Sequence, residues 1–292
     1  MKKFYNIAGH VVSIKAEESS PVWTMCPNYT PFESEASDSV VCALELVPHL
    51  DEVSDAALVH DVLEKGFPRL RISRFDGGWV VEMSPERDLP FVACLVASEG
   101  FESAVMEVFP GEERSLRFAV DNAMMMMFAL STATLGTLEI HSSVTVCDGK
   151  GYAFLGKSGT GKSTHSRLWK ENIPGSELLN DDNPIIRIAD GQARVYGSPW
   201  SGKTPCYRDM NAPLGAVVRI NQSPENKIHR LGVVEAYASM YSSCSAFREI
   251  KNTADGLHST LAELVSVVPM YWLDCRPDAE AARLCHSTVT KQ

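Results

Sequence analysis

The chain has 292 residues, 45% of them hydrophobic, which is enough for one large core or two modest ones. Its net charge of −10 and pI near 5.3 exclude a general affinity for nucleic acid or for an anionic membrane surface, so neither is expected as a partner. Any anion site on so acidic a molecule must be a local cationic pocket.

Residues 1–115 read mostly as strands. Met1-Lys2-Lys3 resembles the start of a leader, but the continuous apolar stretch that should follow is missing. Phe4 to Ile14, Val40 to Leu46 and Phe91 to Val96 are strand-like, and a helical segment is expected from Asp55 to Glu64. Arg69–Phe75 and Trp79–Met83 flank Asp76-Gly77-Gly78, which predicts a hairpin. Nothing here has catalytic spacing, so a β-rich accessory domain over 1–115 is expected.

A helix from about Leu116 to Thr134, ended by Gly136, bridges to the second half. Its run Ala123–Leu130 contains four consecutive methionines but is too short to span a bilayer. It reads as a buried helix whose methionines fill an irregular core, with a methionine-rich metal or partner site as the alternative. Two strands follow, Leu138–His141 and Val144–Cys147. The turn Asp148-Gly149-Lys150-Gly151 is short enough to imply antiparallel pairing with the strand Gly151–Leu155. Another hairpin runs from Pro184–Ile188 through Asp190-Gly191 to Ala193–Tyr196. Leu214–Ile220 is a buried strand, Val233–Met240 and Thr253–Val265 are helical, Met270–Leu273 is a last strand and Asp278–Cys285 a last helix.

Eight cysteines are spread along the chain, with no C-x-x-C pair and no His/Cys cluster at zinc spacing. Most sit among apolar neighbours, so buried reduced thiols and a cytoplasmic address are expected.

The most informative stretch is Gly156-Lys157-Ser158-Gly159-Thr160-Gly161-Lys162-Ser163, which fits the phosphate-loop (P-loop, Walker A) pattern G-x-x-x-x-G-K-[ST]. An apolar strand leads in, and Thr164–Lys170 leads out with helical character. The glycines let successive N–H groups point inward, and the helix N-terminus adds unpaired donors and partial positive charge. Residues 156–164 are therefore expected to hold the phosphates of a nucleoside triphosphate such as ATP, with Lys162 on the outer phosphates and the Ser163 hydroxyl on Mg2+. His165 follows closely, but a packing or surface role is expected for it. Gly197–Lys203 reads either as an anion-holding turn, with Lys203 reaching a phosphate, or as a loop anchored by Trp200. Arg208 is a second candidate cation.

The antiparallel entry into the loop, followed by Leu178-Leu179-Asn180-Asp181-Asp182, resembles the catalytic domain of the HPr kinase/phosphorylase family, which shares its core with the phosphoenolpyruvate carboxykinases. His141 stands fifteen residues before Gly156, the spacing that family shows, and Asp181-Asp182 occupy the place of its aspartate pair. The resemblance covers about residues 136–222 and implies that Asp181 is the catalytic base, that Asp182 lies at the metal, and that His141 contacts Asp181 and tunes its charge. It departs at Thr164, where the kinases carry glutamate, and at Gly197–Lys203, where they carry a glutamate-arginine-glycine element; their later catalytic arginine has no match.

The expected fold class is therefore α/β (α+β): a mixed, largely antiparallel sheet with a phosphate loop over 116–292, beside the β-rich N-terminal domain. The expected function is an ATP-dependent, Mg2+-assisted kinase acting on a hydroxyl of a peptide, protein or small molecule. A carboxykinase-like enzyme and a non-catalytic ATP-binding regulatory module are the alternatives. A homo-oligomer is implied by the resemblance alone.

Overall fold

The structure, a computed structural model, describes residues 1–61, 63, 68–111, 113–202, 204–247 and 249–291. The chain divides into two compact units, Met1–Thr132 and Ala133–Gln292. The division falls after the long helix rather than at residue 115, because that helix packs on the strands that precede it.

In the first unit, β1 (Lys2–Ile7) and β2 (His10–Lys15) pair as a hairpin. The single strand expected over 4–14 is broken at Ala8-Gly9, both at positive φ. There follow α1 (Val22–Met25), a 3-10 turn (Pro27–Phe32), β3 (Glu33–Ser34), β4 (Val40–Leu46), β5 (Ala57–Asp61), β6 (Arg69–Phe75) and β7 (Gly78–Ser84). β8 (Ala93–Ser98), β9 (Ser103–Val108) and α2 (Glu113–Thr132) complete the unit. The strands form one sheet in the order β3-β1-β2-β4-β9-β8-β7-β6-β5.

The expected hairpin at Gly77 is present, with Phe75 opposite Gly78. The helix expected over 55–64 is not: Ala57–Asp61 is an edge strand on β6, and Glu64 lies outside the described residues. Leu58 and His60 pair with Ser73 and Ile72 across a bulge at Val59, and that tertiary pairing along the edge of β6 outweighs local helical spacing. In α2, Met124, Met127 and Phe128 are fully buried while Met125 and Met126 are only partly so. That is the inward stripe of an amphipathic helix. Phe128 meets the edge of the His10 ring at 5.9 Å, and Asn28 donates to the Asp121 carboxylate at 2.9 Å.

The second unit comprises β10 (Thr137–Glu139), β11 (Ser142–Cys147), β12 (Lys150–Leu155), α3 (Lys162–Asn172), β13 (Glu177–Asp182), β14 (Ile185–Ala189) and β15 (Gln192–Tyr196). It ends with β16 (Asn211–Gln222), β17 (Lys227–Arg230), α4 (Val233–Tyr241), α5 (Lys251–Val267), β18 (Met270–Cys275) and α6 (Ala279–Val289). The sheet runs β10-β14-β15-β16-β12-β11-β13, with β18 beside β16 and β17 beside β18. It is mixed and largely antiparallel: β12 pairs antiparallel with β11 through the short turn, and only β12–β16 and β16–β18 pair in parallel.

Two cores sandwich β12. Tyr152 and Phe154 face Leu168 and Trp169 of α3 and Ala282 and Cys285 of α6. Ala153 and Leu155 face Met240 of α4 and Leu257, Leu261 and Leu264 of α5. A strand covered on both faces reads as a continuous apolar run, as Tyr152–Leu155 does. All eight cysteines are free thiols, six of them buried, and no described helix is long and apolar enough to cross a membrane.

Candidate functional site

The β12 strand delivers the chain into the glycine-rich loop at the edge of the core. Gly159 and Gly161 sit at φ 80° and 100°, a left-handed backbone that a side chain resists. A Cβ on Gly156 would lie 2.2 Å from Thr160 Oγ1, so only glycine lets the loop close on itself there. Thr160 Oγ1 donates to the Lys157 carbonyl at 2.8 Å and Gln222 Nε2 to the Gly159 carbonyl at 3.3 Å, which pins the loop from both ends. Lys157, Ser158 and Gly159 are exposed. Gly161 is the N-cap of α3 and supplies no side-chain cap, so the first-turn N–H groups of the helix are left for an external acceptor.

Packing fixes the direction of α3. Trp169 packs at a tilt against Tyr152 at 5.1 Å and edge-on against Phe154 at 5.3 Å, and Ser166 Oγ shares a 2.6 Å hydrogen bond with Ser143 Oγ of β11. Of the packing and surface roles expected for His165, it takes the packing one. Its ring meets Phe154 edge-on at 4.8 Å and accepts from Trp169 Nε1 at 3.1 Å, and burial holds its imidazole down at about 4, hence neutral. With His165 on the inner face, Ser163 on the next face is exposed, while Thr164 is half-buried beside it.

The site centres on Lys162, which is only 8% exposed. Its Nζ donates to the Gly156 carbonyl at 3.0 Å and meets His141 Nε2 at 2.9 Å. On the other side of the ring, His141 Nδ1 lies 2.9 Å from Asp182 Oδ1. An ammonium can only donate, so Nε2 accepts and Nδ1 carries the proton toward the carboxylate. Burial lowers the proton affinity of Lys162, while the charges of Asp182 and Asp181 pull it back up and Arg219 opposes them. The amine is thus partly desolvated but held cationic by two carboxylates.

β13 presents those carboxylates. Asp181 and Asp182 lie across from Ser143 and Ser142 of β11. Asp181 is buried; its carbonyl accepts from Gly202 N at 2.8 Å and Ser201 Oγ at 3.2 Å. Asp182 is bent out of the strand at φ 137°, and a Cβ on Gly202 would come within 3.1 Å of its carboxylate. The glycine at 202 leaves room for Asp182 to turn toward His141. The partner of His141 is Asp182, not the Asp181 that the resemblance implies. The bend at 182 aims the second of the two neighbouring carboxylates at the histidine, while both are near enough to raise the proton affinity of Lys162.

The segment 197–202 is anchored by buried side chains. Ser198 and Trp200 are buried, and Ser198 Oγ bonds to the Asn183 carbonyl at 2.5 Å and receives Asn180 Nδ2 at 3.2 Å. Lys203 lies outside the described residues. Arg208 pairs with Glu177 at 3.0 Å, at the far end of β13 from Asp181 and Asp182.

Two residues escaped the sequence reading. Arg219 of β16 lies beside Leu155 in the sheet, at the mouth of the loop. Its guanidinium donates to Ser239 Oγ, the Ser239 carbonyl, Ser242 Oγ and Ser243 Oγ. The Ser243 carbonyl in turn accepts the His141 N–H at 2.7 Å. Arg219 so ties the end of α4 to the backbone of His141. Glu139 of β10 is 3% exposed and, among the described residues, neither carboxyl oxygen has a hydrogen-bond partner of ordinary geometry. Burial pushes its carboxyl from an ordinary 4.5 up to about 8; the nearby Ser245 hydroxyl opposes that rise and the charge of Asp182 adds to it. The signal available for both was a charged residue inside an apolar strand, Val218-Arg219-Ile220 and Leu138-Glu139-Ile140.

These residues fit a triphosphate with a divalent ion. The loop offers exposed N–H groups and an uncapped helix start, Lys162 offers a desolvated cation, and Ser163 with Asp182 offers hard oxygen ligands of the kind Mg2+ takes.

No protein-family model matches the chain, and neither does any curated protein. Among solved structures, the chain is similar to the Hpr(Ser) kinase/phosphatase from Coxiella burnetii, with 11% identity over 52% of this chain and 93% of that one, at a TM-score of 0.31. At that level of likeness the function of the chain has to be read from its own residues.

Proposed function

We propose that the chain is an ATP-dependent, magnesium-assisted phosphotransferase that moves a phosphoryl group onto a hydroxyl of a peptide, protein or small molecule. The observation that carries this reading is the relay Lys162–His141–Asp182 set against a glycine loop and an uncapped helix, with Asp181 beside it. The loop N–H groups of 156–164 receive the β- and γ-phosphate oxygens, and Lys162 turns from the Gly156 carbonyl and His141 to the γ-phosphate. Ser163 and Asp182 are the residues that would hold Mg2+, which when bound neutralises charge on the phosphates. Asp181 accepts the proton of the acceptor hydroxyl as its oxygen bonds to the γ-phosphorus and the bond to the ADP oxygen breaks. His141 holds Asp182 in place and, through it, the charge balance around Lys162.

The test is to incubate the purified protein with γ-labelled ATP, magnesium and an extract of its own cell, in parallel with an Asp181→Asn variant. One labelled component is expected with the parent, and a loss of labelling of roughly a hundredfold or more with the variant, in the range of general-base removal. Equal labelling by both proteins refutes the base assignment. Tight ATP binding with no labelled component would leave only a nucleotide-binding module.

A further inference from the structure

The chain carries a second group of ligating side chains, none of which belongs to the loop site. Cys147 closes β11, Asp148 opens the turn into β12, and His286 lies 139 residues beyond Cys147, on α6. Their ligand atoms all lie within 4.8 Å of one another. Cys147 Sγ is 3.8 Å from His286 Nε2. A tetrahedral zinc ion with ordinary Zn–S and Zn–N lengths requires about 3.6 Å between those two atoms.

The surroundings are arranged for such a group. Cys147 is 1% exposed, so its sulfur position is fixed by packing, whereas Asp148 is exposed and free to close on an ion. Asp148 takes a left-handed backbone at φ 50°, which departs from strand alternation and lets consecutive side chains converge. The Ser176 hydroxyl is buried, has no hydrogen-bond partner of ordinary geometry, and lies beside the thiol. A hydroxyl in that position can donate to a metal-bound thiolate. Trp169 packs edge-on against the His286 ring at 5.3 Å and fixes its plane.

We propose that Cys147, Asp148 and His286 form a binding site for a borderline-soft divalent ion of the zinc class. One thiolate, one imidazole and one carboxylate select such an ion over magnesium or calcium, and leave one coordination position for water. The ion joins the last helix to the β11–β12 turn, elements remote in sequence, and stabilises the second unit by mass action. The site is independent of the phosphotransferase reading, and its failure would leave that reading untouched.

Cobalt(II) is the probe. The reduced, chelator-treated full chain is titrated with Co2+ in excess Mg2+, and the thiolate-to-cobalt charge-transfer absorption is followed. The loop site has no sulfur and cannot produce that band. The expected result is a band that saturates at one equivalent and is displaced by Zn2+, with a rise in Tm on zinc addition. Cys147→Ser is expected to abolish the band, and Cys94→Ser, in the other unit, to leave it unchanged. Ser176→Ala is expected to weaken cobalt binding roughly tenfold, as loss of an outer-shell partner does. If Cys147→Ser fails to fold, His286→Ala on the half-buried face of α6 decides, with an expected loss in affinity of tenfold or more. A parent chain without the band overturns the proposal, as does a band that survives Cys147→Ser or binds as tightly in His286→Ala.

Discussion

Lys162→Met is expected to reduce ATP-dependent transfer by roughly a thousandfold while leaving the protein as stable as the parent or more so. The two halves of that expectation have different causes. Removing one preorganised charge from a phosphoryl-transfer site costs on the order of 10²–10³ in rate, because the lost group acts where charge develops and water is excluded. The stability of the folded chain moves the other way. Lys162 is 8% exposed, and burial lowers its proton affinity, so its charge is held at a desolvation cost that Asp182 and Asp181 only partly offset. Methionine keeps the stem and removes that cost. The measurements are initial rates of label transfer and a denaturant midpoint for each protein. A variant that loses stability and rate together would mean that Lys162 is a packing residue. A variant that keeps its rate would remove the lysine from the mechanism.

Glu139→Gln is expected to flatten the pH dependence of stability between about pH 4.5 and pH 8, the interval set by the ordinary and buried values of this carboxyl. The sign follows from proton counting. The folded chain holds the Glu139 proton up to about pH 8, whereas the unfolded chain releases it near 4.5. Across that interval the native state binds more protons, so stability falls as pH rises. The contribution is fully present below the lower value and lost above the upper one. Each tenfold separation in proton affinity is worth about 1.4 kcal/mol, which puts the change on the order of a few kcal/mol. Glutamine cannot ionise, so the Tm of the variant should gain on that of the parent steadily from pH 5 to pH 8. Parallel Tm curves for the two proteins would show that Glu139 is charged and paired in the folded state.

Glu139 and Arg219 share a lesson about the site. Each is a charged residue on an apolar strand, and neither belongs to the loop motif. Arg219 fastens the end of α4 and the turn that follows it, where the Ser243 carbonyl holds the His141 backbone. Glu139 lies two residues ahead of His141, close enough for the Asp182 charge to raise its proton affinity. The polar machinery around Lys162 is therefore wider than the motif that announces it.

Local chemistry made much of the molecule legible. The glycines expected to let the loop fold tightly include Gly159 and Gly161, both at positive φ; Gly77, Gly149 and Gly191 mark hairpins where turn chemistry places them. The short turn at 148–149 dictated antiparallel entry into the loop strand, against the parallel entry common to such loops. The buried methionine-rich helix α2 was expected from its apolar run, whereas the choice between a packing and a surface role for His165 was left to the fold.

Long-range pairing decided the rest. Residues 57–61 became a strand because β6 offered a free edge, a fact that no local spacing contains. His141 found Asp182 rather than Asp181 because sheet register and one bent residue choose which of two adjacent carboxylates faces it. Cys147 and His286 meet only because α6 folds back on the β11–β12 turn. By itself the sequence determined the glycine loop and its turns, since backbone sterics act between neighbours. The partners of each charge were left to the tertiary structure, since attraction in a desolvated interior depends on distance in space and not on separation along the chain.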